Sequence, residues 1–239
     1  RSYSVTGVQT CALPIYMGKE QSKGKLIVLE GTDGVGRSTQ VTMLKKWLEK
    51  NSFAVSNTGL RRSPLTQPGL DKAKEGNTLT ATTLSLFYAT DFADRLENQI
   101  IPALRAGFYV LSDRYFYSII ARDMVRGLDP QWARAVYGFA LIPDLVIYLK
   151  ADIPTLITRI VHGRGFNYWE SGMDLIKEQN LYDSFLQYQT CMIEQFDAMA
   201  AEYKFKVVDA NRSTKVVFED VRTLVEELIN SSNKPAEPK

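Results

Sequence analysis

Apolar residues fall along this chain in short unbroken runs set between longer stretches of helical period. The runs are residues 25–30 (KLIVLE), 53–57 (FAVSN), 108–112 (FYVLS), 145–149 (LVIYL) and 205–208 (FKVV). Runs this short and continuous predict strands buried on both faces. Between them, Val41, Leu44, Trp47 and Leu48 share one helical face, with lysines on the other. A long helical pattern from Leu79 to Ala106 runs through Leu84, Phe87, Phe92, Leu96, Ile100 and Leu104, and Pro102 kinks or divides it. Asp129-Pro130 predicts a helix start, with the helix reaching about Leu141. Asp152 predicts a cap for the next helix, which fades at Gly163-Arg164-Gly165. Leu181, Phe185, Tyr188, Met192, Phe196, Met199 and Tyr203 mark a further long helix, and Ser213 to Ile229 the last. Strands alternating with helices predict an α/β domain built on a five-stranded parallel sheet with helices on both faces. In such a sheet ligands bind beyond the carboxyl ends of the strands.

Two ends stand outside this pattern. Residues 1–16 (RSYSVTGVQTCALPIY) show neither period and resemble translated adapter sequence or a disordered extension, with Met17 the natural start. Residues 231–239 (SSNKPAEPK) read as a disordered tail, leaving 17–230 as one domain. No apolar run reaches eighteen residues, so no membrane span is expected. The formal net charge is only +2, which does not make a nucleic acid or an anionic membrane the default partner. Two cysteines and one histidine supply neither a disulfide framework nor a His-based metal site, and favour a reducing, cytoplasmic setting.

Chemistry enters directly after the first strand. Gly31-Thr32-Asp33-Gly34-Val35-Gly36-Arg37-Ser38-Thr39 links that strand to an amphipathic helix, the arrangement of a phosphate-cradling P-loop. Glycines let backbone N–H groups turn inward, and a helix N-terminus adds partial positive charge where a polyphosphate sits. Gly31, Gly34, Val35, Gly36, Arg37, Ser38 and Thr39 are therefore the candidate ATP-binding residues. Arg37 occupies the position of the usual lysine. Arginine keeps the charge but is longer and planar. Two readings follow, a working variant loop or a degenerate one that binds nucleotide weakly or not at all. Two more strand ends reach the same rim, the loop holding Arg61 and Arg62 and the pair Asp113-Arg114.

At these residues the chain resembles thymidylate kinases, which phosphorylate dTMP with ATP. Their P-loop commonly reads E-G-x-D-G-x-G-K-S-T-Q, against EGTDGVGRSTQ at residues 30–40. Their D-R-[YH]-x-x-S is DRYFYS at 113–118, and R-G-[LM]-D is kept at 126–129. The segment ITRIVHGRGFNYWE resembles the arginine-bearing lid. Three features depart. The T-R-E-P-G after the second strand reads TGLRRSP here, Phe92 meets the arginine of A-D-R, and A-Y-Q is Ala121-Arg122-Asp123.

The resemblance implies a P-loop NTPase-type fold with a short lid, and a cytoplasmic enzyme of small-molecule nucleotides using ATP and Mg2+. It places Ser38 and Asp113 at the metal. Asp33, Arg61, Arg62, Phe92 and Arg114 fall at the acceptor. Arg37, Asp113, Arg114, Arg159 and Arg164 become the catalytic set, with Arg159 and Arg164 closing over the donor. Transfer between phosphates needs no general base, because the acceptor oxygen is already anionic; it needs alignment and charge neutralisation. Family members are commonly homodimers packed through helices, and the apolar faces of 79–106 and 131–141 permit one here. A kinase for another (deoxy)nucleotide or a small metabolite, and a catalytically silent nucleotide-binding P-loop protein, remain the alternatives.

Overall fold

The computed structural model describes residues 23–60, 62–76, 79–163, 165–175 and 180–232. Five parallel strands, β1 Lys25–Glu30, β2 Val55–Gly59, β3 Tyr109–Asp113, β4 Leu145–Lys150 and β5 Lys206–Asp209, form one sheet in the order β2-β3-β1-β4-β5. The chain thus leaves β1 at the centre, goes out to one edge and comes back for the other side. That reversal of strand order opens a crevice beyond the carboxyl ends of β1 and β3. Residues along β1 alternate between two cores. Leu26 and Val28 pack with α3 (Ala81–Arg95), α5 (Phe116–Val125) and α8 (Leu181–Glu202). Ile27 and Leu29 pack with α1 (Arg37–Lys50), α7 (Ile153–Val161) and α9 (Thr214–Ser232). Both faces of the sheet are covered, as continuous apolar strands require.

Several boundaries move from the expected ones. β2 begins at Val55, because Ser52 takes a left-handed φ of 64° and Phe53 N–H bonds back to Leu48 O, extending the preceding turn. β3 and β5 each lie one residue later than the apolar run, so Asp113 and Asp209 belong to the strands themselves. The long pattern beginning at Leu79 starts as a helix only at Ala81 and is divided. α3 passes into a π-helical turn, Leu96–Ile100, and then α4, Ile101–Arg105. Pro102 stands in the first turn of α4, where its missing N–H costs nothing, and the wider turn before it absorbs the break. α6 (Pro130–Val136) stops short of the expected Leu141 in turns around Gly138.

Two helices have no counterpart in the hydrophobic pattern. α2 (Gln67–Glu75) buries Leu70 alone, so no periodic face announces it. α5 fails in the opposite way: seven of its ten residues are buried, all round the axis. A helix covered on every side carries no amphipathic signal. The caps at Asp129, Asp152 and Asn180 accept from N–H groups of the first helical turn, as their residue types dictate. No helix among the described residues is long and apolar enough to cross a membrane.

Candidate active site

The loop after β1 turns back on itself before α1. Gly31 has φ +142°, and a Cβ there would lie 2.5 Å from Leu149 O on β4. Gly36 has φ +101° and precedes the helix without any side-chain cap, so the first N–H groups of α1 stay open toward the loop. Strand register sets the neighbours: Leu29 pairs with Asp113, and Asp113 with Gly59. The P-loop, the end of β3 and the end of β2 therefore meet at one rim.

Arg37 ties the rim together. Its Nε donates to Asp113 Oδ1 at 2.9 Å, and its Nη1 donates to the carbonyls of Gly31 and Thr32. The guanidinium is thus folded into the loop's own backbone. Ser38 Oγ donates to the other oxygen, Asp113 Oδ2, at 2.7 Å. Burial pushes the Asp113 carboxyl up, but Arg37 and the Ser38 hydroxyl outweigh it and hold it below the usual carboxylate range.

Asp33 is the second hub. Oδ1 takes Arg114 Nη2, with Arg37 Nη2 at 3.8 Å, and Oδ2 faces Arg122 Nη2 at 3.5 Å. Burial works against its charge, yet Arg114, Arg122 and Arg37 together hold the carboxyl far below its ordinary value. Burial and the neighbouring Arg37 draw Arg114 down to about 10, with Asp33 opposing them, so it stays cationic at neutral pH. Asp33, Arg37, Asp113 and Arg114 line a cleft of about 380 Å³ together with Arg62 and Arg122. Its far wall is Lys74 of α2, Tyr88 of α3, Arg126, and Asn167, Trp169 and Glu170 of the segment after α7. Lys74 Nζ donates to Tyr88 Oη at 2.7 Å and lies 4.8 Å from the Trp169 ring centroid, linking the three segments of that wall.

A smaller cavity of about 290 Å³ opens on the other side of the P-loop, lined by Gly34, Val35, Gly36, Thr39, Arg159 and Arg212 among others. Arg159 does not extend over the loop as expected. Its Nη1 donates to Val35 O at 3.1 Å and its Nη2 to Ala210 O at 2.7 Å, clamping the P-loop to the turn after β5.

Most of the expected residues therefore converge. Arg61 and Arg164 lie outside the described residues. Phe92 is a correction: it is fully buried, within 6.0 Å of the Tyr115, Phe116, Tyr137 and Phe139 ring centroids, and is a core residue instead of an acceptor contact. Arg95, three residues on, is also a core residue. It is equally buried, with Nε on Asp91 Oδ2 at 2.9 Å and Nη1 on Thr58 Oγ1 at 3.3 Å. Asp123 is spent on Ser85, whose hydroxyl it accepts at 2.5 Å. Sequence reasoning missed the cleft roles of Lys74, Tyr88, Arg122, Asn167 and Glu170. A signal existed for one of these: Arg114, Ser118, Arg122 and Arg126 recur every fourth residue, the spacing of one helical face.

The family model for thymidylate kinase matches residues 29–221. A probable thymidylate kinase 2 of Saccharolobus solfataricus is 38% identical over 212 residues, covering 88% of this chain and 99% of that protein. A probable thymidylate kinase of Thermococcus gammatolerans is 33% identical over 218 residues, covering 87% and 99%. A thymidylate kinase of Akkermansia muciniphila is 35% identical over 142 residues, covering 59% and 68%.

Proposed function

The chain belongs to the thymidylate kinase family, and from that premise we propose that it transfers the γ-phosphate of ATP to dTMP, with the cleft of Asp33, Arg37, Asp113 and Arg114 as its acceptor side. The observation that carries the reading is the bond from Arg37 to Asp113. It joins the P-loop to the end of β3, so a donor cradle and an arginine-lined cleft share one wall.

The chemistry asks little of side chains. An acceptor phosphate oxygen bonds the γ-phosphorus while the bond to the β,γ-bridging oxygen breaks, leaving ADP and dTDP; no proton has to move first. Arg114 and Arg62 hold the acceptor's phosphate, the fork of a guanidinium matching its oxygens. Arg37 lies between the two anions and offsets the charge that builds as they approach. In the smaller cavity, Arg159 fixes the P-loop against the turn after β5, shaping the donor side. Ser38 and Asp113 offer a hydroxyl and an ionised carboxylate 2.7 Å apart, a hard-oxygen set suited to Mg2+. Mg2+ held there supplies neutralisation of the donor phosphates. Among the described residues no cluster of three or more His, Cys, Asp or Glu could hold a metal. A homodimer remains part of the proposal, and sedimentation of the purified chain reads it.

Coupled detection of ADP tests the reading. Wild type is expected to turn over with dTMP, Arg37→Lys to remain within roughly tenfold of it because the charge is kept, and Arg37→Ala to fall by about 100-fold or more. Inactivity of both wild type and Arg37→Lys sinks it. In that case stabilisation by dTMP without turnover would identify a silent binder.

A further inference from the structure

Glu30 ends β1, is fully buried, and does not line the cleft. Its carboxylate nevertheless accepts three hydrogen bonds from one neighbouring turn. Oε1 accepts from Tyr115 N at 2.8 Å and Ser118 N at 3.3 Å, and Oε2 accepts from Ser118 Oγ at 2.5 Å. The Ser118 oxygen then accepts from Arg114 Nη1 at 2.9 Å. Arg114 Nη1 also reaches Gly31 O at 3.0 Å, and Nη2 reaches Asp33. A single directed chain runs from a buried carboxylate through a hydroxyl to the guanidinium at the cleft floor.

The backbone needs such support. Arg114 has φ +72°, a left-handed conformation that side-chain-bearing residues rarely adopt. Its own N–H is taken by Leu29 O at 3.0 Å and its carbonyl by Ser112 Oγ at 2.5 Å, so the strained residue is fixed on both sides. Glu30 holds the N–H groups of Tyr115 and Ser118, at the start of α5. Strain kept in place by redundant contacts is characteristic of groups that must point in one direction.

We propose that Glu30 and Ser118 are positioning residues that aim Arg114 at the acceptor phosphate; this rests on the reading of the cleft as the acceptor side. The hydroxyl sets the polarity of the chain. Arginine only donates, so Ser118 must accept from Arg114 and send its own hydrogen to Glu30. A glutamine at position 30 keeps the shape but offers an amide N–H as well as an oxygen. It can turn the Ser118 hydrogen toward Arg114, where two donors face each other.

The test compares Glu30→Gln, Ser118→Ala and the double variant with wild type. It measures KM for dTMP, KM for ATP, dTMP affinity by calorimetry, and Tm. Each single variant is expected to weaken dTMP binding and raise its KM by roughly tenfold, the scale of one charge-assisted hydrogen bond. KM for ATP is expected to stay within about twofold, because Arg114 lines the acceptor cleft and not the donor cavity. The double variant is expected to be no worse than the weaker single variant, since both break one chain. Losses that multiply in the double variant, or KM values for both substrates rising together, would overturn the proposal, as would unchanged dTMP affinity in both single variants. An inactive wild type would instead overturn the phosphoryl-transfer reading, while the order of dTMP affinities still decides the chain.

Discussion

Asp33 holds three guanidinium groups on one carboxylate whose side chain is about 10% exposed. Arg37 shares its charge with Asp113, but Arg114 and Arg122 depend on Asp33, and each of these buried guanidinium groups has lost most of its water. Asp33→Asn is therefore expected to lower stability by about 3–5 kcal/mol, the range for breaking a buried pair from one side. Inorganic phosphate should restore much of the loss by supplying the missing anion to the same three arginines. The pH dependence has a definite sign. The folded carboxyl lies far below its ordinary value, so its stabilisation is complete above about pH 4 and is lost as pH falls through the folded value. Thermal melts from pH 7 to pH 3 should show the gap between wild type and Asp33→Asn narrowing at the acid end. A constant gap would mean that Asp33 acts by shape alone.

At the scale of elements, α5 carries both the cleft and its main liability. One face presents Ser118 and Arg122, with Arg126 closing the helix, while Asp123 turns toward α3 and accepts from Ser85. Burial raises the Asp123 carboxyl to about 6, only partly offset by Ser85, Arg126 and Arg122. The folded protein then takes up this proton near pH 6, whereas the unfolded chain does so near pH 4. Stability from this group therefore falls as pH rises between those values, the reverse of Asp33. Asp123→Asn, which keeps an oxygen for Ser85, is expected to stabilise the fold by up to about 3 kcal/mol at pH 8 and to lose that advantage by pH 4. Melting temperatures of the two proteins at both pH values decide it. α5 also shows what sequence pattern can and cannot deliver. The five strands were legible because a parallel sheet buries whole runs, and α1 and α8 because each has one dry face. α5 was not, since burial on every side erases its period, and α2 was not, since it buries one leucine. The cleft suffered accordingly: its P-loop and Asp113-Arg114 were readable as motifs, while Lys74 and Arg122 sit on those two unread helices. Phe92 was misplaced for a related reason. Alignment gives a position along a helix, but the packing of four aromatic rings decides where its side chain points.

For the whole molecule, the distribution of charge matters more than its total. The chain carries a formal net charge of +2. The cleft alone gathers Arg37, Arg62, Lys74, Arg114, Arg122 and Arg126 against Asp33, Asp113 and Glu170. The fold thus concentrates positive charge in a concave, low-dielectric space, the arrangement that focuses a field on a small anion. Topology produces this: β1, β2 and β3 end at the same rim, so residues from positions 33 to 126 face one volume. A dianionic acceptor should feel that field before it touches any side chain, and salt should weaken it. Raising KCl from 0.1 to 0.5 M shortens the screening length from about 10 Å to about 4 Å. Over that interval kcat/KM for dTMP is expected to fall by roughly three- to tenfold, while Tm stays nearly constant because the two cores that hold the fold are apolar. Chloride is the salt to use, since sulfate and phosphate would compete for the arginines directly. Arg62→Ala, an exposed member of the cleft outside the Asp33 hub, should flatten the salt dependence without moving Tm. If kcat/KM ignores salt while Tm drops, charge in the cleft serves folding and not capture.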